Sequence, residues 1–586
     1  MNHRAPRDRL LTDNPQPVCD DIRRLRYAQP SEQTADDIRQ RLAGALASVE
    51  QPSQRSRRQR EFLSAMRAGF IPGGRIHAGA GTKLAATLIN CFVQPMAPRR
   101  CGRDASGRPG VDDALREMAS TLRMGGGVGV NLSDLPARAI AGHASGLDPV
   151  SVIMKMESNG RRLAATGARR SAQMALVDID HPDSPAVIDL KRHHRLQTVT
   201  LSVCIPDAFM QSLGDCPFDP DTGSATRTRK VQPSPQSAAH RLWIQLLQAA
   251  LDTGNPGIVF IDQVNRDNNL GDIEQLRACN PCGEQYLPDY GACDLGSINL
   301  TRLVRRPFTR AARVDLAALR QLTHVAVRAL DNVIELTRWP LEMQAREARL
   351  TRRVGLGVTG LADALLMLGL RYDRHAGRTA AAAMLRTIRN AAYCSSVQLA
   401  IERGAFPVFD AHRLLSPPHA ASRLPEFIKR RIEKHGLRNS HLLAIAPAGT
   451  ISLAMADNVS SGIEPVFAPQ ILRRIAMPDG SEIVRSVDDH ALRRLRALRP
   501  GDTALPAAWC DASTLRAVDH LRMVAALQPW VDAGISKTVH LRESDSVQSL
   551  DRLLRSAWRS GLKGMSVFRA GALARDVLCD ARGATR

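Results

Sequence analysis

Aromatic residues make up 4% of this 586-residue chain, and only eight of its 80 basic residues are lysine. So few aromatics argue against a surface that stacks bases, as binders of single-stranded nucleic acid use. The formal net charge of +22 reopens the question. However, the basic residues are spread from Arg4 to Arg586 without a block and without a nucleic-acid-binding motif, as general arginine usage would give, so no nucleic-acid partner is expected. No apolar run is long enough to span a bilayer: the longest, residues 442–456, contains Pro447, Gly449, Thr450 and Ser452. No apolar stretch follows the charged start Met1 to Arg7, so neither a secretory signal nor a membrane partner is expected. Eleven cysteines, an odd number, fit thiols kept reduced in the cytoplasm. Tyrosine is absent after Tyr393; the others are Tyr27, Tyr286, Tyr290 and Tyr372.

The length exceeds what one core usually serves, which predicts either a large α/β domain with appendages or two to four domains. Residues 1–65 are polar, mix short helical patterns with Pro and Gln, and read as a helical arm. Two segments without an apolar face, 99–113 and 214–237, read as solvated loops. Between them strand-like and helical patterns alternate, the mark of an α/β fold. Strands are predicted at 128–132, 198–205, 257–262 and 442–446. The clearest helix is 315–337, with Leu316, Leu319, Leu322, Val325, Leu330, Val333 and Ile334 at helical spacing and Asp315 as its cap. The glycines of 353–365 precede a helical pattern and predict close packing of that helix on neighbouring backbone. No internal repeat is present.

The densest chemistry is Asn280-Pro281-Cys282-Gly283-Glu284-Gln285, with Cys293 eleven residues after Cys282. Cys279, Cys282 and Cys293 offer three thiols to a zinc ion, but the second CxxC pair of a structural zinc site is missing, so no metal site is expected. A buried loop with inert thiols is the plain alternative. Against it, Asn280, Glu284 and Gln285 crowd polar groups beside Cys282, and such groups are costly to bury without partners.

This run, together with Gly291-Ala292-Cys293-Asp294-Leu295-Gly296-Ser297-Ile298-Asn299-Leu300, resembles the finger loop of ribonucleotide reductases, above all the adenosylcobalamin-dependent class II enzymes. Further segments resemble the family in the same order between about residues 66 and 570. They include Phe70-Ile71-Pro72-Gly73-Gly74-Arg75-Ile76, Asn90-Cys91-Phe92-Val93, Gly125-Gly126-Gly127-Val128-Gly129-Val130, Pro447-Ala448-Gly449-Thr450-Ile451-Ser452, Ser460-Ser461-Gly462-Ile463-Glu464-Pro465 and Gly561-Leu562-Lys563-Gly564. The resemblance implies a ten-stranded α/β barrel with a central finger loop over 66–575, preceded by the arm 1–65, which is too short for an ATP-cone. A tail, 576–586, follows without a cysteine pair.

The resemblance also implies roles. Cys282 would carry a transient thiyl radical that removes the 3′ hydrogen of the ribose. Glu284 would be general base on the 3′ hydroxyl, and Asn280 would fix the sugar hydroxyls. Cys91 and Cys293 would be the reductant, closing to a disulfide as the 2′ hydroxyl leaves as water, so Cys282 and Cys293 are not expected to pair. Substrate would meet Asn90, Gly125, Gly126, Pro281 and Gly283, with its phosphates on Pro447, Ala448, Gly449, Thr450 and Ile451; for Gly125 and Gly126 a tight strand entry is an equally ordinary explanation. Ala448 stands where the family usually has threonine, which removes a hydroxyl and leaves the backbone donors. The segment 167–174, with Arg169 and Arg170, resembles the loop through which a deoxynucleoside triphosphate effector sets substrate choice in a homodimer.

The tyrosine pattern bears on the radical source. A class I large subunit passes the radical through stacked tyrosines near its C-terminal end, and a class III enzyme needs a glycyl-radical segment and a four-cysteine metal site; neither is present. Homolysis of the cobalt–carbon bond of adenosylcobalamin remains. The expected activity is reduction of ribonucleoside diphosphates in the cytoplasm, with a thioredoxin-like protein or a separate redox subunit resetting the active-site disulfide. The alternative is a catalytically silent nucleotide-binding regulatory relative, against which stands the retention of all five catalytic residues.

Overall fold

The computed structural model describes residues 15–141, 146–165, 172–194, 196–214, 237–477, 481–501, 504–569 and 578–580. Its strands, in chain order, are β1 (Phe70–Pro72), β2 (Cys91–Val93), β3 (Gly127–Asn131), β4 (Gln173–Asp178), β5 (Val199–Ile205), β6 (Gly257–Phe260), β7 (Ala278–Cys279), β8 (Tyr286–Leu287), β9 (Ala292–Asn299), β10 (Val304–Arg305), β11 (Arg313–Val314), β12 (Val354–Thr359), β13 (Gln470–Ala476), β14 (Glu482–Asp488), β15 (Thr538–Leu541), β16 (Gly564–Arg569) and β17 (Leu578–Asp580).

Ten strands form one mixed sheet. β2, β3, β4, β5 and β6 lie side by side and parallel. β12 is parallel to β9, and β15 to β16. The two groups meet antiparallel at β2–β9 and at β6–β16, and β1 adds antiparallel to β9. β9 and β12 are buried at every position, and β2 to β6 at nearly every one, as a sheet covered by crossover helices requires, whereas β15 and β16 are fully buried only at alternate residues.

Three expectations need correction. Residues 442–446 make isolated parallel bridges, Leu356–Leu443 and Ile445–Ile535, rather than a continuous strand. The Asp532 carboxylate accepts from the amides of Leu442 and Leu443 at 3.0 and 2.8 Å, so those donors are withdrawn from a ladder. The segment 257–262 leaves the sheet after Phe260 and turns into the helix Ile261–Arg266. The glycines after Arg353 belong to β12, where a Cβ at Gly357 would stand 2.5 Å from the Ala444 carbonyl oxygen. The close approach is therefore strand against neighbouring chain, and the helix Leu361–Met367 starts only after left-handed Gly360.

The expected long helix is Leu316–Leu336, with Asp315 accepting from the amide of Ala318 at 2.9 Å. Leu319, Leu322, Leu330, Val333 and Ile334 are buried, while Leu316 at the first turn is exposed.

The N-terminal segment forms the helices Pro17–Arg26, Ala35–Ala47 and Arg55–Ala68, the last running through residue 65. A capping box of Thr34 with Asp37 opens the second. Ile38, Leu42, Leu46 and Phe62 join the main apolar core, so these helices are packed on the body rather than free of it. Buried Glu50 accepts from Arg328 at 2.8 Å and pairs with Arg403 at 2.7 Å. Residues 99–110 are irregular, and the helix Val111–Arg123 begins inside the second half of that predicted loop. Residues 215–236 of the other predicted loop lie outside the described residues. β17 pairs antiparallel with β13, setting Cys579 opposite Leu472. Among the described residues no helix is long and apolar enough to cross a membrane.

Candidate active site

The run from Ala278 to Leu287 folds as a hairpin, β7 pairing antiparallel with β8. Its tip is closed by local bonds. Gly283, left-handed at φ 76°, donates its amide to the Asn280 carbonyl at 3.0 Å, and Asn280 donates its own to the Gln285 carbonyl at 3.0 Å. A side chain would be strained at that φ, which is why glycine follows Cys282.

Glycines on surrounding strands let the hairpin in. A Cβ at Gly129 of β3 would come within 1.7 Å of the Cys279 carbonyl oxygen. One at Gly355 of β12 would meet the Gln285 side chain at 2.6 Å, and one at Gly564 of β16 the Tyr286 hydroxyl at 2.7 Å. Gly534 donates its amide to the Glu284 carbonyl at 2.9 Å. A small apolar core separate from the main one joins hairpin residues Ala278, Cys279, Tyr286 and Leu287 to residues of β2, β4, β5, β6 and β9. The hairpin therefore touches strands from both parallel groups.

Five predicted residues converge here. Cys91 and Cys293 face each other in the β2–β9 register; such partners have Cα atoms roughly 4.5–5.5 Å apart, inside the range a disulfide spans. Asn280 Nδ2 donates to Cys91 Sγ at 3.1 Å, while its Oδ1 accepts from the Gln285 amide at 3.0 Å. Cys91 Sγ donates to Glu284 Oε1 at 3.7 Å. The second oxygen, Glu284 Oε2, is buried without a hydrogen-bond partner among the described residues. So are Oδ1 of Asn90, beside Cys91, and Nε2 of Gln285. Buried polar atoms without a partner are costly unless a ligand meets them.

Burial pushes the Glu284 carboxyl up to about 7, opposed by the hydrogen bonds from Asn280 and Cys91. Cys91 and Cys293 are raised well above the ordinary thiol value, Cys91 by burial and then Glu284, Cys293 by burial and then Asp294. Cys282 is reachable by solvent at the tip, yet it sits deep enough among protein atoms that burial, followed by Glu284, also raises its pKa. All three cysteines are thus neutral thiols carrying a hydrogen atom. A Cβ built on Gly283 would meet nothing within 4 Å, so space is open beside Cys282.

The other predicted residues fall around this centre in part. Pro281 lies over Gly127, where a Cβ would be 3.2 Å from its ring. Gly125 and Gly126 have local structural causes: added Cβ atoms would meet the Arg75 guanidinium at 2.3 Å and the Phe92 ring at 2.6 Å. Pro447 to Ile451 follow the interior residues Ala444 and Ala446. Ala448 is left-handed at φ 52° and caps the helix Gly449–Ala456, whose first amides have no partner within the helix. Thr359 and Ser452 share a 2.5 Å hydroxyl bond that braces this turn. Arg169 and Arg170 lie outside the described residues.

Lys563, in the segment Gly561-Leu562-Lys563-Gly564, is a further residue of the site that its sequence motif alone does not mark with a role. Buried Lys563 donates to the carbonyls of Asp532 and Ala533 at 2.6 and 3.1 Å, holding the segment whose Gly534 supports the hairpin. Its own carbonyl accepts from the Tyr286 hydroxyl at 3.3 Å.

Residues 89–568 match the family described as ribonucleotide reductase, barrel domain. The chain is 32% identical to a vitamin B12-dependent ribonucleoside-diphosphate reductase of Mycobacterium tuberculosis (strain CDC 1551 / Oshkosh), over 94% of this chain and 78% of that protein. It is 29% identical to the protein of the same name from Thermoplasma acidophilum, over 85% of this chain and 63% of that one. A ribonucleoside-diphosphate reductase large chain of Neurospora crassa is 25% identical, over 80% and 56%.

Proposed function

The chain belongs to the ribonucleotide reductase family, and from that premise we propose that it reduces ribonucleoside diphosphates to 2′-deoxyribonucleotides with adenosylcobalamin. The observation that carries the reading is the contact of Asn280, Cys91 and Glu284 next to a cysteine pair, beneath an accessible Cys282.

Adenosylcobalamin, when bound, supplies the radical chemistry that takes the hydrogen atom from Cys282 Sγ. The residues present fit that role: Cys282 is a neutral, accessible thiol, and it and Gly283 border the open space at the hairpin tip. The Cys282 thiyl then takes the 3′ hydrogen of the ribose. Glu284, poised near neutrality, accepts the 3′ hydroxyl proton as general base, and Asn280 holds the sugar hydroxyls. The 2′ hydroxyl takes one proton and leaves as water, and C2′ gains a hydrogen in its place; both hydrogens and the two electrons come from the Cys91 and Cys293 thiols as their sulfurs join, and Glu284 returns its proton to the 3′ oxygen. Cys282 returns its hydrogen to C3′.

The finer architecture is a ten-stranded barrel around a finger loop. The bridges at Leu443 and Ile445, which extend the sheet from β12 toward the segment entering β15, and the hairpin's contacts with both strand groups support it. Substrate phosphates on the amides of 448–451, effector control through 167–174, a homodimer, reduction by a thioredoxin-like protein or separate redox subunit, and a cytoplasmic location complete the proposal.

Reduction of CDP by the purified chain with adenosylcobalamin and dithiothreitol tests it. We expect dCDP from the native protein and none from Cys282→Ala. No product from the native protein under any effector would leave the silent-relative reading instead.

A further inference from the structure

A cavity of about 1540 Å³ lies between the helices Pro17–Arg26 and Ala35–Ala47, the β10–β11 hairpin and the C-terminal end of the helix Gly449–Ala456. Ten arginines and four aspartates line it. Each aspartate is already paired: Asp20 with Arg23, Asp36 with Arg67, Asp315 with Arg305, and Asp457 with Arg493. Among the described residues Arg24, Arg306 and Arg313 are exposed and their guanidinium groups have no partner. Arg39 reaches Asp36 only at 3.8 Å. Its pKa is drawn below the ordinary value by burial and, against the pull of Asp36, by the neighbouring Arg67 and Arg23.

A second observation is independent of charge. The β10–β11 turn holds two non-glycine residues in left-handed backbone, Arg306 at φ 51° and Phe308 at φ 59°. Such conformations are costly and persist only where the surroundings impose them. Here the Phe308 amide donates to the Met367 carbonyl at 2.8 Å, and Arg499 donates to the Phe308 carbonyl at 2.7 Å. The strained turn sets two arginines and an aromatic ring on one wall, and Met66, Ile71 and Leu498 add apolar surface.

We propose that this cavity binds a nucleoside polyphosphate, its phosphates on the surplus arginines and its base against Phe308. Guanidinium forks match phosphate oxygens in pairs, and the volume exceeds the roughly 300–1,000 Å³ that small ligands need. A long nucleic acid fits less well, because four aspartates interrupt the arginines. The site is separate from the substrate's. Met455 and Ala456, which line it, lie at one end of the helix whose other end carries Ala448 and Gly449, and eight helical residues span about 12 Å. Occupancy is therefore in a position to bias the phosphate turn. Binding does not depend on the reductase chemistry.

ATP binding to the full chain, followed by equilibrium dialysis at near-physiological salt, tests this against Arg306→Glu/Arg313→Glu. Both positions are exposed and outside the catalytic centre, so thermal unfolding and CDP turnover should match the native protein. We expect one class of ATP site to weaken by about tenfold or more for each arginine replaced. In the native protein alone, ATP should slow amide exchange across 304–314. Inorganic tripolyphosphate is the second probe, and weaker binding than ATP is expected. Equal stoichiometry and affinity in the two proteins, or protection confined to 447–451, would overturn the site. Tripolyphosphate binding as tightly as ATP would overturn its nucleoside part.

Discussion

Glu284 is the residue whose environment says most about the chemistry. A carboxyl with an ordinary value of 4.5 held at about 7 gives an acidic limb in kcat/KM, since only the ionised form accepts a proton. We expect that limb to inflect near pH 7 and Glu284→Gln to lower kcat by roughly 10²–10⁴, the usual worth of a general base; a flat profile from pH 5.5 to 8 would remove Glu284 from that role. The linkage to stability runs the other way. With its folded pKa raised, Glu284 favours folding fully below its unfolded value near 4.5, and that contribution is lost as pH rises through about 7. Asn280, Cys282 and Glu284 stood out in the sequence because polar groups crowded a thiol. That Cys91 completes the centre could not be read from spacing: it lies 189 residues before Asn280, and only the resemblance pointed to it.

At the scale of elements, the hairpin's position rests on absent side chains. Gly129→Ala would push a methyl into the Cys279 carbonyl. Overpacking of this kind costs typically about 1–3 kcal/mol, and here it would also move Asn280 away from Cys91. We expect a lower denaturation midpoint together with a fall in dCDP formation larger than the drop in stability explains; an active, fully stable variant would show that the hairpin can shift without consequence. The sequence made the long helix legible, because seven apolar residues keep helical spacing behind an aspartate cap. It made β12 illegible. Val354, Leu356 and Val358 alternate along it, but glycine, which weakens a strand, fills two of the positions between them, and these glycines serve contacts with Ala444, Leu295 and Gln285 that are distant in sequence or on other strands.

Across the whole molecule, the N-terminal helices are tied to the body through a buried ionic centre. Burial opposes ionisation of Glu50, yet hydrogen bonds from Arg328 and Asn332 and the charge of Arg403 draw it down to about 2. Its stabilising effect is therefore fully present above about pH 4.5 and is lost as pH falls through about 2. Glu50→Gln removes the buried one of Arg328's two counter-charges and leaves only Glu402; removing one partner of a buried pair costs up to roughly 3–5 kcal/mol. We expect urea denaturation to show this destabilisation, and protease digestion to release the segment before residue 68 earlier than in the native chain. An unchanged midpoint would mean that Glu402, the other acid on Arg328 at 2.7 Å, suffices alone.

By itself the sequence determined the α/β class, the long amphipathic helix and the thiol-bearing loop, because periodicity, capping and a crowded polar motif are local properties written in neighbouring residues. The tertiary structure alone decided that Cys91 faces Cys293, that glycines from several strands make room for the hairpin, and that Glu284 titrates near neutrality. Register, close approach and desolvation depend on which distant segments meet, and no spacing along the chain encodes that. The eleven-residue step from Cys282 to Cys293 was visible at once; its division between a hairpin tip and a buried strand was not.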